Sequence, residues 1–140
     1  MKRISLMLIA VIACFISVQA QTSTPTQIKA GDTIKFNERT HNFGNIQEAD
    51  GDVTCDFIFT NIGTEPISIV KATSTCGCTA PTYPKAPIAP GEQGTISVTY
   101  HAKGRPGQFT KNITVTVLAG ESTFTQILQI RGVVIPEVKK

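Results

Sequence analysis

The chain has 140 residues, with 13 basic and 10 acidic side chains and a formal net charge of +3. This near-neutral balance, without a cluster of lysines and arginines, argues against nucleic acid or an anionic membrane surface as a partner. About 120 residues remain once an N-terminal leader is removed, which is enough for one domain that buries about two-thirds of its unfolded surface without disulfide bonds.

Residues 1–20 have the three-part pattern of a secretory signal peptide. Met1-Lys2-Arg3 is followed by the apolar run Ile4–Val18, and Val18-Gln19-Ala20 places small residues before a predicted cleavage after Ala20. The run is shorter than the roughly 20 residues that span a bilayer, and no later stretch approaches that length. We therefore expect an exported protein of the periplasm or cell surface, with no transmembrane segment in the mature chain.

Lipidation at Cys14 is an alternative to release by signal peptidase. Val11-Ile12-Ala13-Cys14 loosely fits the box in which bacteria acylate a cysteine. The apolar run continues past Cys14, which favours cleavage after Ala20.

Loss of Lys2 and Arg3 with the leader lowers the 13 basic residues to 11, against 10 acidic ones, so the mature chain is almost neutral.

From Thr33 onward, apolar and polar residues alternate with a period of two, which predicts half-buried β-strands and no helix. The strands predicted most clearly are Val53–Thr60, Thr95–His101 and Phe109–Leu118, with weaker candidates at Thr33–Asn37, Ile67–Ala72 and Phe124–Val134. About seven short strands in one domain predict an all-β, immunoglobulin-like β-sandwich over residues 33–135. Residues 21–32 are predicted to be a disordered linker, and residues 136–140 a tail.

The connections between these strands contain residues that favour turns. Asn61-Ile62-Gly63 offers a glycine for a positive φ, and Pro90-Gly91 and Pro106-Gly107 are typical of type II turns. Residues 79–92 form the longest predicted irregular segment, because four prolines deny it regular strand pairing: Pro81, Pro84, Pro87 and Pro90. This segment is either a surface that a partner contacts or a passive crossover between the two sheets.

Five short motifs, in order along residues 36–132, resemble a family of bacterial secreted domains of unknown function, DUF1573. They are His41-Asn42-Phe43-Gly44, Asn61-Ile62-Gly63, Cys76-Gly77-Cys78-Thr79, Pro90-Gly91-Glu92 and the segment Gly104–Lys111. The resemblance implies an immunoglobulin-like sandwich akin to Hydin-like and major-sperm-protein-like domains, in an envelope protein. It implies no established activity and no catalytic residues.

No enzyme motif is present, and we expect no cofactor and no bound metal. Asp50-Gly51-Asp52 invites a calcium hypothesis, but an EF-hand needs a longer pattern ending in glutamate, so a solvated hairpin turn is favoured. His41 is expected to end a strand and bond to backbone rather than ligate a metal, although it could lie near the Cys-Gly-Cys loop. His101 is expected at a strand end facing water.

The three remaining cysteines differ in their surroundings. Cys55 alternates with core residues and is predicted to be a buried, inert hydrophobe. The antibody-type disulfide is excluded, because no cysteine follows Cys78 and the chain has no tryptophan. Export permits a disulfide, and closure of Cys76 with Cys78 through Gly77 is favoured. Two alternatives stay open: both loop cysteines are free, or one of them pairs with Cys55.

The sequence therefore predicts a non-enzymatic, exported module that acts as a scaffold or binds another envelope protein, for example through an edge strand. The alternative function is a thiol site that handles redox equivalents or a soft metal through Cys76 and Cys78. The sequence does not decide the oligomeric state.

Overall fold

The computed structural model describes residues 30–138. The predicted signal peptide, the lipidation candidate Cys14 and most of the predicted linker lie outside the described residues. Two short 3-10 helices, Ala30–Thr33 and Glu48–Asp50, accompany eight strands. The strands are β1 (Ile34–Phe36), β2 (Thr40–Gln47), β3 (Asp52–Asn61), β4 (Ile67–Ser74), β5 (Thr79–Thr82), β6 (Gln93–His101), β7 (Gly107–Ala119) and β8 (Ser122–Ile135).

The strands form two four-stranded sheets that pack face to face. Sheet A has the order β1-β3-β6-β5, and sheet B has the order β2-β8-β7-β4. Every pairing is antiparallel except that of β2 with β8, which is parallel. The predicted all-β, immunoglobulin-like sandwich is therefore confirmed. Within residues 30–138, no helix has the length and apolar character needed to cross a membrane.

The period-two pattern correctly predicts which face of each long strand is buried. In β3, Phe57 and Phe59 are fully buried while the intervening Ile58 is 38% exposed. The inward residues of β6 and β7 close the core from both sheets: Ile96, Val98, Tyr100, Ile113, Val115 and Val117. These side chains hold the sheets together because their apolar surface is removed from water.

Gly94 on β6 is required by the ring of Phe59 on the neighbouring strand. The two residues are cross-strand partners, and a Cβ atom on Gly94 would lie 2.4 Å from Cζ of Phe59. No real Cβ contact is that short, so the ring occupies the space that any other residue at position 94 would need. The close approach lets Phe59 reach the core without displacing β6.

Two strands were not predicted. The alternation in β2 is broken at Gly44, where the register against β8 shifts between Asn42 and Asn45. The strand β5 contains Pro81, which is compatible only with a sheet edge, and β5 is indeed the last strand of sheet A. The prediction that residues 79–92 are irregular throughout is therefore wrong for Thr79–Thr82.

Two predicted turns also differ from the structure. Gly63 does not have a positive φ; instead, a Cβ atom there would lie 3.1 Å from Cβ of Thr33, so glycine serves a close approach. Asp50-Gly51-Asp52 is not a hairpin turn, because it joins β2 in sheet B to β3 in sheet A. The predicted turn at Pro90-Gly91 agrees with the structure, since φ is 81° at Gly91 and the N–H of Glu92 donates to the carbonyl oxygen of Ala89 at 3.0 Å. The turn predicted at Pro106-Gly107 is a third difference, because Gly107 begins β7 and the turn lies three residues earlier, where the N–H of Arg105 donates to the carbonyl oxygen of Ala102 at 3.0 Å.

Candidate functional site

The Cys-Gly-Cys loop joins β4 to β5 and therefore passes from sheet B to sheet A. The structure pairs Cys76 with Cys78 in a disulfide whose Cα atoms are 5.3 Å apart. The hydroxyl oxygen of Thr79 lies 3.8 Å from both sulfur atoms. Cys78 is buried, Cys76 is half-buried and Gly77 is exposed. Gly77 does not have a positive φ, so its φ does not require the conformational freedom of glycine.

Cys55 is the free cysteine of the described residues, and it is buried. Burial, together with the smaller effects of the Glu38 and Asp56 carboxylates, raises the pKa of its thiol from 9.0 to about 12. The thiolate is the nucleophilic form of cysteine, so the thiol is unreactive at neutral pH. The predicted inert core position agrees with this environment.

A chain of aromatic rings connects the Cys-Gly-Cys-Thr motif to the His-x-Phe-Gly motif. Thr79 pairs with Tyr100, and the Tyr100 ring stacks on Phe109 of the opposite sheet with centroids 3.8 Å apart. Phe109 neighbours Phe43 at 6.4 Å, and His41 meets Phe43 edge-on at 4.7 Å. Both motifs therefore lie at the same end of the sandwich.

His101 lies where the sequence predicts it, at an exposed strand end, whereas the surroundings of His41 differ from the prediction. His41 is the second residue of β2 rather than the end of a strand, and its Nδ1 lies 3.2 Å from Oε1 of Glu38, a side chain instead of backbone. His101 does end β6, and its Nδ1 lies 2.9 Å from Oδ1 of Asp52. Both pairs are solvent-exposed, and exposed ion pairs contribute little stability.

The glycine of the His-x-Phe-Gly motif creates a bulge in β2. Gly44 has a φ of 67°, and its backbone N–H donates to Oδ1 of Asn42 at 3.0 Å. On the neighbouring strand, a Cβ atom at Gly132 would lie 3.0 Å from the carbonyl oxygen of Gly44 and 3.0 Å from the Phe109 ring. The bulge therefore brings the carbonyl oxygen of Gly44 so close to β8 that position 132 has little room for a side chain.

An open groove of about 340 Å³ lies on sheet B beside this bulge. Its lining consists of Asn42, Gly44, Asn45, Gln108, Arg131, Gly132 and Val133. Three carboxamides and one guanidinium line it, with no carboxylate. Sequence reasoning missed this groove, because its polar residues come from three strands and only the register of β2 on β8 brings them together. The available signal was the pair of asparagines flanking Phe43-Gly44.

The Asn-x-Gly and Pro-Gly-Glu motifs meet around the buried side chain of Asn61. Its Nδ2 donates to the carbonyl oxygens of Glu65 at 2.8 Å and Ile88 at 2.9 Å. Its Oδ1 accepts from the backbone N–H of Gly63 at 2.9 Å. The side chain is fully buried, so these three hydrogen bonds replace the water that it loses on folding.

The backbone of Asn61 holds the Pro-Gly-Glu turn as well. Its N–H donates to the carbonyl oxygen of Glu92 at 2.9 Å, and its carbonyl oxygen accepts from the N–H of Gly91 at 2.8 Å. The Asn-x-Gly and Pro-Gly-Glu motifs are therefore joined by hydrogen bonds in one structural unit. Their contacts favour a crossover role for the segment that precedes β6.

Glu48, the first residue of the second 3-10 helix, forms hydrogen bonds to two neighbouring segments of the chain. Oε1 of Glu48 accepts from the N–H of Gly104 at 2.9 Å, and Oε2 accepts from the N–H of Glu137 at 3.1 Å. Among residues 30–138, no three His, Cys, Asp or Glu side chains are grouped closely enough to hold a metal ion. The calcium hypothesis for Asp50-Gly51-Asp52 gains no support from this arrangement.

The fold is an immunoglobulin-type sandwich of two four-stranded sheets. It is similar to the human CEP192 PapD-like domain 7, with a TM-score of 0.63 and 11% identity over 76% of this chain and 87% of that one. It is similar to the CupB2 chaperone of Pseudomonas aeruginosa, with a TM-score of 0.53 and 12% identity over 70% and 54% of the two chains. The VesB protease of Vibrio cholerae gives a TM-score of 0.63 and 14% identity over 76% and 33%.

The family model for a protein of unknown function, DUF1573, matches residues 34–134, and the chain belongs to this family. No curated protein sequence matches this chain. The similar structures share too little sequence to show more than the fold. The chain also spans only 33% of the VesB protease and 54% of CupB2.

Proposed function

We propose that this chain is an exported, non-enzymatic module of the bacterial envelope that acts as a scaffold by binding another envelope protein. The signal-peptide pattern of residues 1–20 supports export. The buried thiol of Cys55, with its pKa of about 12, supports a role without a nucleophile. One of the similar structures, CupB2, is a chaperone, and chaperones act by binding other proteins.

The observation that carries this proposal is the difference between the four sheet edges. An unpaired strand edge is a template for another chain, and proteins protect edges that are not used. In β1 the edge is only three residues long. In β5 it contains Pro81, which has no N–H to donate. The edge of β4 is covered at its first residue by Ile88, whose N–H and carbonyl oxygen bond to Ile67 at 2.7 and 3.0 Å. Further along β4, the carbonyl oxygen of Val70 accepts from the Tyr83 hydroxyl at 3.3 Å.

The edge of β2 is the exception. This strand is eight residues long, and among the described residues no backbone hydrogen bond joins it to any strand but β8. The carbonyl oxygen of Arg39 accepts from the N–H of Gln129 at 2.8 Å. Because backbone groups alternate in direction along a strand, those of Thr40 and Asn42 point away from β8. A partner strand can pair with them.

Crosslinking in intact cells, followed by mass spectrometry, tests this function. We expect the wild-type domain to crosslink to a reproducible envelope protein. Thr40→Pro removes an outward N–H without breaking a bond to β8, so it should abolish that crosslink. Thr40→Ala is the matched control, because it removes the side chain but keeps the N–H. Equal crosslinking by both variants, at equal thermal stability, would show that β2 is not the binding edge.

A second candidate function is thiol redox or soft-metal handling by Cys76 and Cys78. The observation that favours it is the position of the pair, which lies in a loop with an exposed Gly77 between the two cysteines. A disulfide across one residue closes a very short loop and contributes little stability through chain entropy. Replacement of both cysteines with serine should leave the envelope crosslink unchanged if the scaffold function is correct. Loss of an envelope phenotype with the crosslink retained would favour the thiol function instead.

A further inference from the structure

The groove beside the β2 bulge contains polar groups that the fold does not use. Arg131 points outward from β8, between the inward-facing Ile130 and Gly132. Within the described part of the chain, the side chains of Arg131, Asn45 and Gln108 have no hydrogen bond or ion pair. A guanidinium with five donors and two carboxamides therefore surround the same open space of about 340 Å³.

The charge of this groove selects the kind of group that it accepts. No Asp or Glu lines it, so the positive charge of Arg131 is not neutralised by its neighbours. The planar fork of a guanidinium matches the two oxygens of a carboxylate. Asn42 pairs with Arg131 across the strands, and its Oδ1 already accepts from the N–H of Gly44, so its Nδ2 is the group left to donate to a ligand. The donors together favour an anionic, oxygen-bearing group.

The surroundings of the groove favour a peptide over a saccharide. No aromatic ring lines it, although aromatic rings are the usual platforms for the faces of sugars. Carboxamides can donate to and accept from peptide groups. The groove also borders the unpaired edge of β2, where an extended chain can add as a strand. A carboxylate on such a chain would reach Arg131 from the edge.

We infer that the groove binds an extended peptide segment of the partner through a carboxylate, which pairs with Arg131 while the peptide backbone meets Asn45 and the outer edge of β2. This inference rests on the proposed function and names the chemistry of the partner segment. It adds a specificity-determining residue, Arg131, to a binding edge that backbone pairing alone would leave unselective.

Selection of random displayed peptides on the purified protein tests the inference. We expect the selected peptides to share an Asp, a Glu or a free carboxyl terminus. Their affinities are then measured by fluorescence anisotropy, with each peptide made as the C-terminal acid and as the amide, and with Glu replaced by Gln. These two arms distinguish a terminal carboxylate from a side-chain carboxylate.

The variants separate a specific contact from net charge. Arg131→Gln should weaken binding by about tenfold or more, as expected for a charge-assisted hydrogen bond. Arg131→Lys should lie between Arg131→Gln and the wild type, because it keeps the charge but loses the fork. Lys35→Gln removes a positive charge from the exposed position on β1 and should leave the affinity unchanged. Arg131 and Lys35 are both exposed, so all three variants should retain the wild-type thermal midpoint.

Several outcomes would overturn the inference. Selected peptides without a carboxylate would do so, as would an equal loss of affinity in Arg131→Gln and Lys35→Gln. Tighter, Arg131-dependent binding of an oligogalacturonate would replace the peptide with an acidic saccharide. If no peptide is selected while Thr40→Pro still abolishes the envelope crosslink, the carboxylate site fails and the proposed function stands. If the wild type gives no envelope crosslink, the proposed function itself fails.

Discussion

Asn61 Nδ2 donates a hydrogen bond to the carbonyl oxygen of Ile88 across a separation of 27 residues, at 2.9 Å. Ile88 in turn exchanges two backbone hydrogen bonds with Ile67 on the edge of β4. One buried carboxamide on sheet A therefore positions the segment that covers an edge of sheet B. This relationship explains why a polar residue lies fully buried at the end of β3.

Asn61→Ala should destabilise the domain by about 2 to 4 kcal/mol, because it leaves buried peptide groups without partners. The affected groups are the carbonyl oxygens of Glu65 and Ile88 and the N–H of Gly63. Denaturant unfolding measures the change. Asn45→Ala, which alters an exposed asparagine, is the control and should change stability by less than about 0.5 kcal/mol. Similar values for the two variants would contradict the central role of Asn61.

Phe57→Ala should cost about 3 to 5 kcal/mol, because it removes a fully buried ring and leaves a cavity between the sheets. Ile58→Ala, on the opposite face of the same strand, should cost less than about 1 kcal/mol, since Ile58 is 38% exposed. The midpoints of urea unfolding of the two variants, compared at equal slope, measure the two losses of stability. A smaller loss for Phe57 than for Ile58 would invert the assigned faces of β3.

Gly94→Ala should destabilise the domain by about 1 to 3 kcal/mol, because its Cβ atom overlaps the Phe59 ring. The double variant with Phe59→Leu should be less destabilised than the sum of the single variants, since the smaller side chain makes room. Gly77→Ala serves as the reference glycine substitution, because no atom lies within 4 Å of its Cβ position. Thermal unfolding of the four proteins gives the coupling, and strict additivity would argue against the overlap.

The Cys55 thiol should make the domain less stable as the pH rises above about 9. Its pKa is raised from 9.0 to about 12 in the folded state, so the unfolded chain loses this proton first and folding binds it. The stability contribution is fully present below pH 9 and is lost as the pH rises toward 12, with a slope of at most about 1.4 kcal/mol per pH unit.

Cys55→Ala isolates this effect from other titrating groups. Urea unfolding between pH 8 and about 10.5 should show a steeper decline for the wild type than for Cys55→Ala. In the native wild type, iodoacetamide at pH 8 should leave Cys55 unmodified and should alkylate it only after unfolding. Rapid alkylation of the native protein, or parallel pH profiles, would show that the thiol is not held in its protonated form.

If the chain is exported as proposed, the mature protein should begin at Gln21, because Val18 and Ala20 provide the small residues that signal peptidase reads. Intact-mass spectrometry of the protein from the envelope fraction measures this directly. A diacylglyceryl mass on Cys14 would instead place the domain on a lipid anchor.

The sequence was sufficient for the fold because alternation is a local signal. The alternation of neighbouring residues shows that Phe57 faces the core and that Ile58 faces solvent. The strand β2 was missed because its bulge at Gly44 interrupts that signal, and β5 was missed because Pro81 is typical of loops. In both cases pairing with a distant strand determined the structure, and one sequence does not show such pairing.

The candidate site was less predictable for the same reason. The motifs containing His41 and Cys76 were visible, but their common location depends on Tyr100 stacking across the sandwich on Phe109. The groove depends on the register that places Asn42 opposite Arg131. Sequence spacing cannot report either relationship, since each joins strands that are far apart along the chain.

The parallel pairing of β2 with β8 has a consequence for the order in which the domain can form as the chain is synthesised. A chain that emerges from its N-terminus can complete sheet A once residues through His101 are available. Sheet B must wait, because β2 has no neighbour until β8 arrives. During that interval the inner face of sheet A, with Phe57 and Phe59, can be opposed only by the paired strands β4 and β7 of sheet B. Completion of the sandwich is therefore coupled to delivery of the last strand, and a chain that ends before β8 leaves part of an apolar sheet uncovered and β2 without a neighbouring strand.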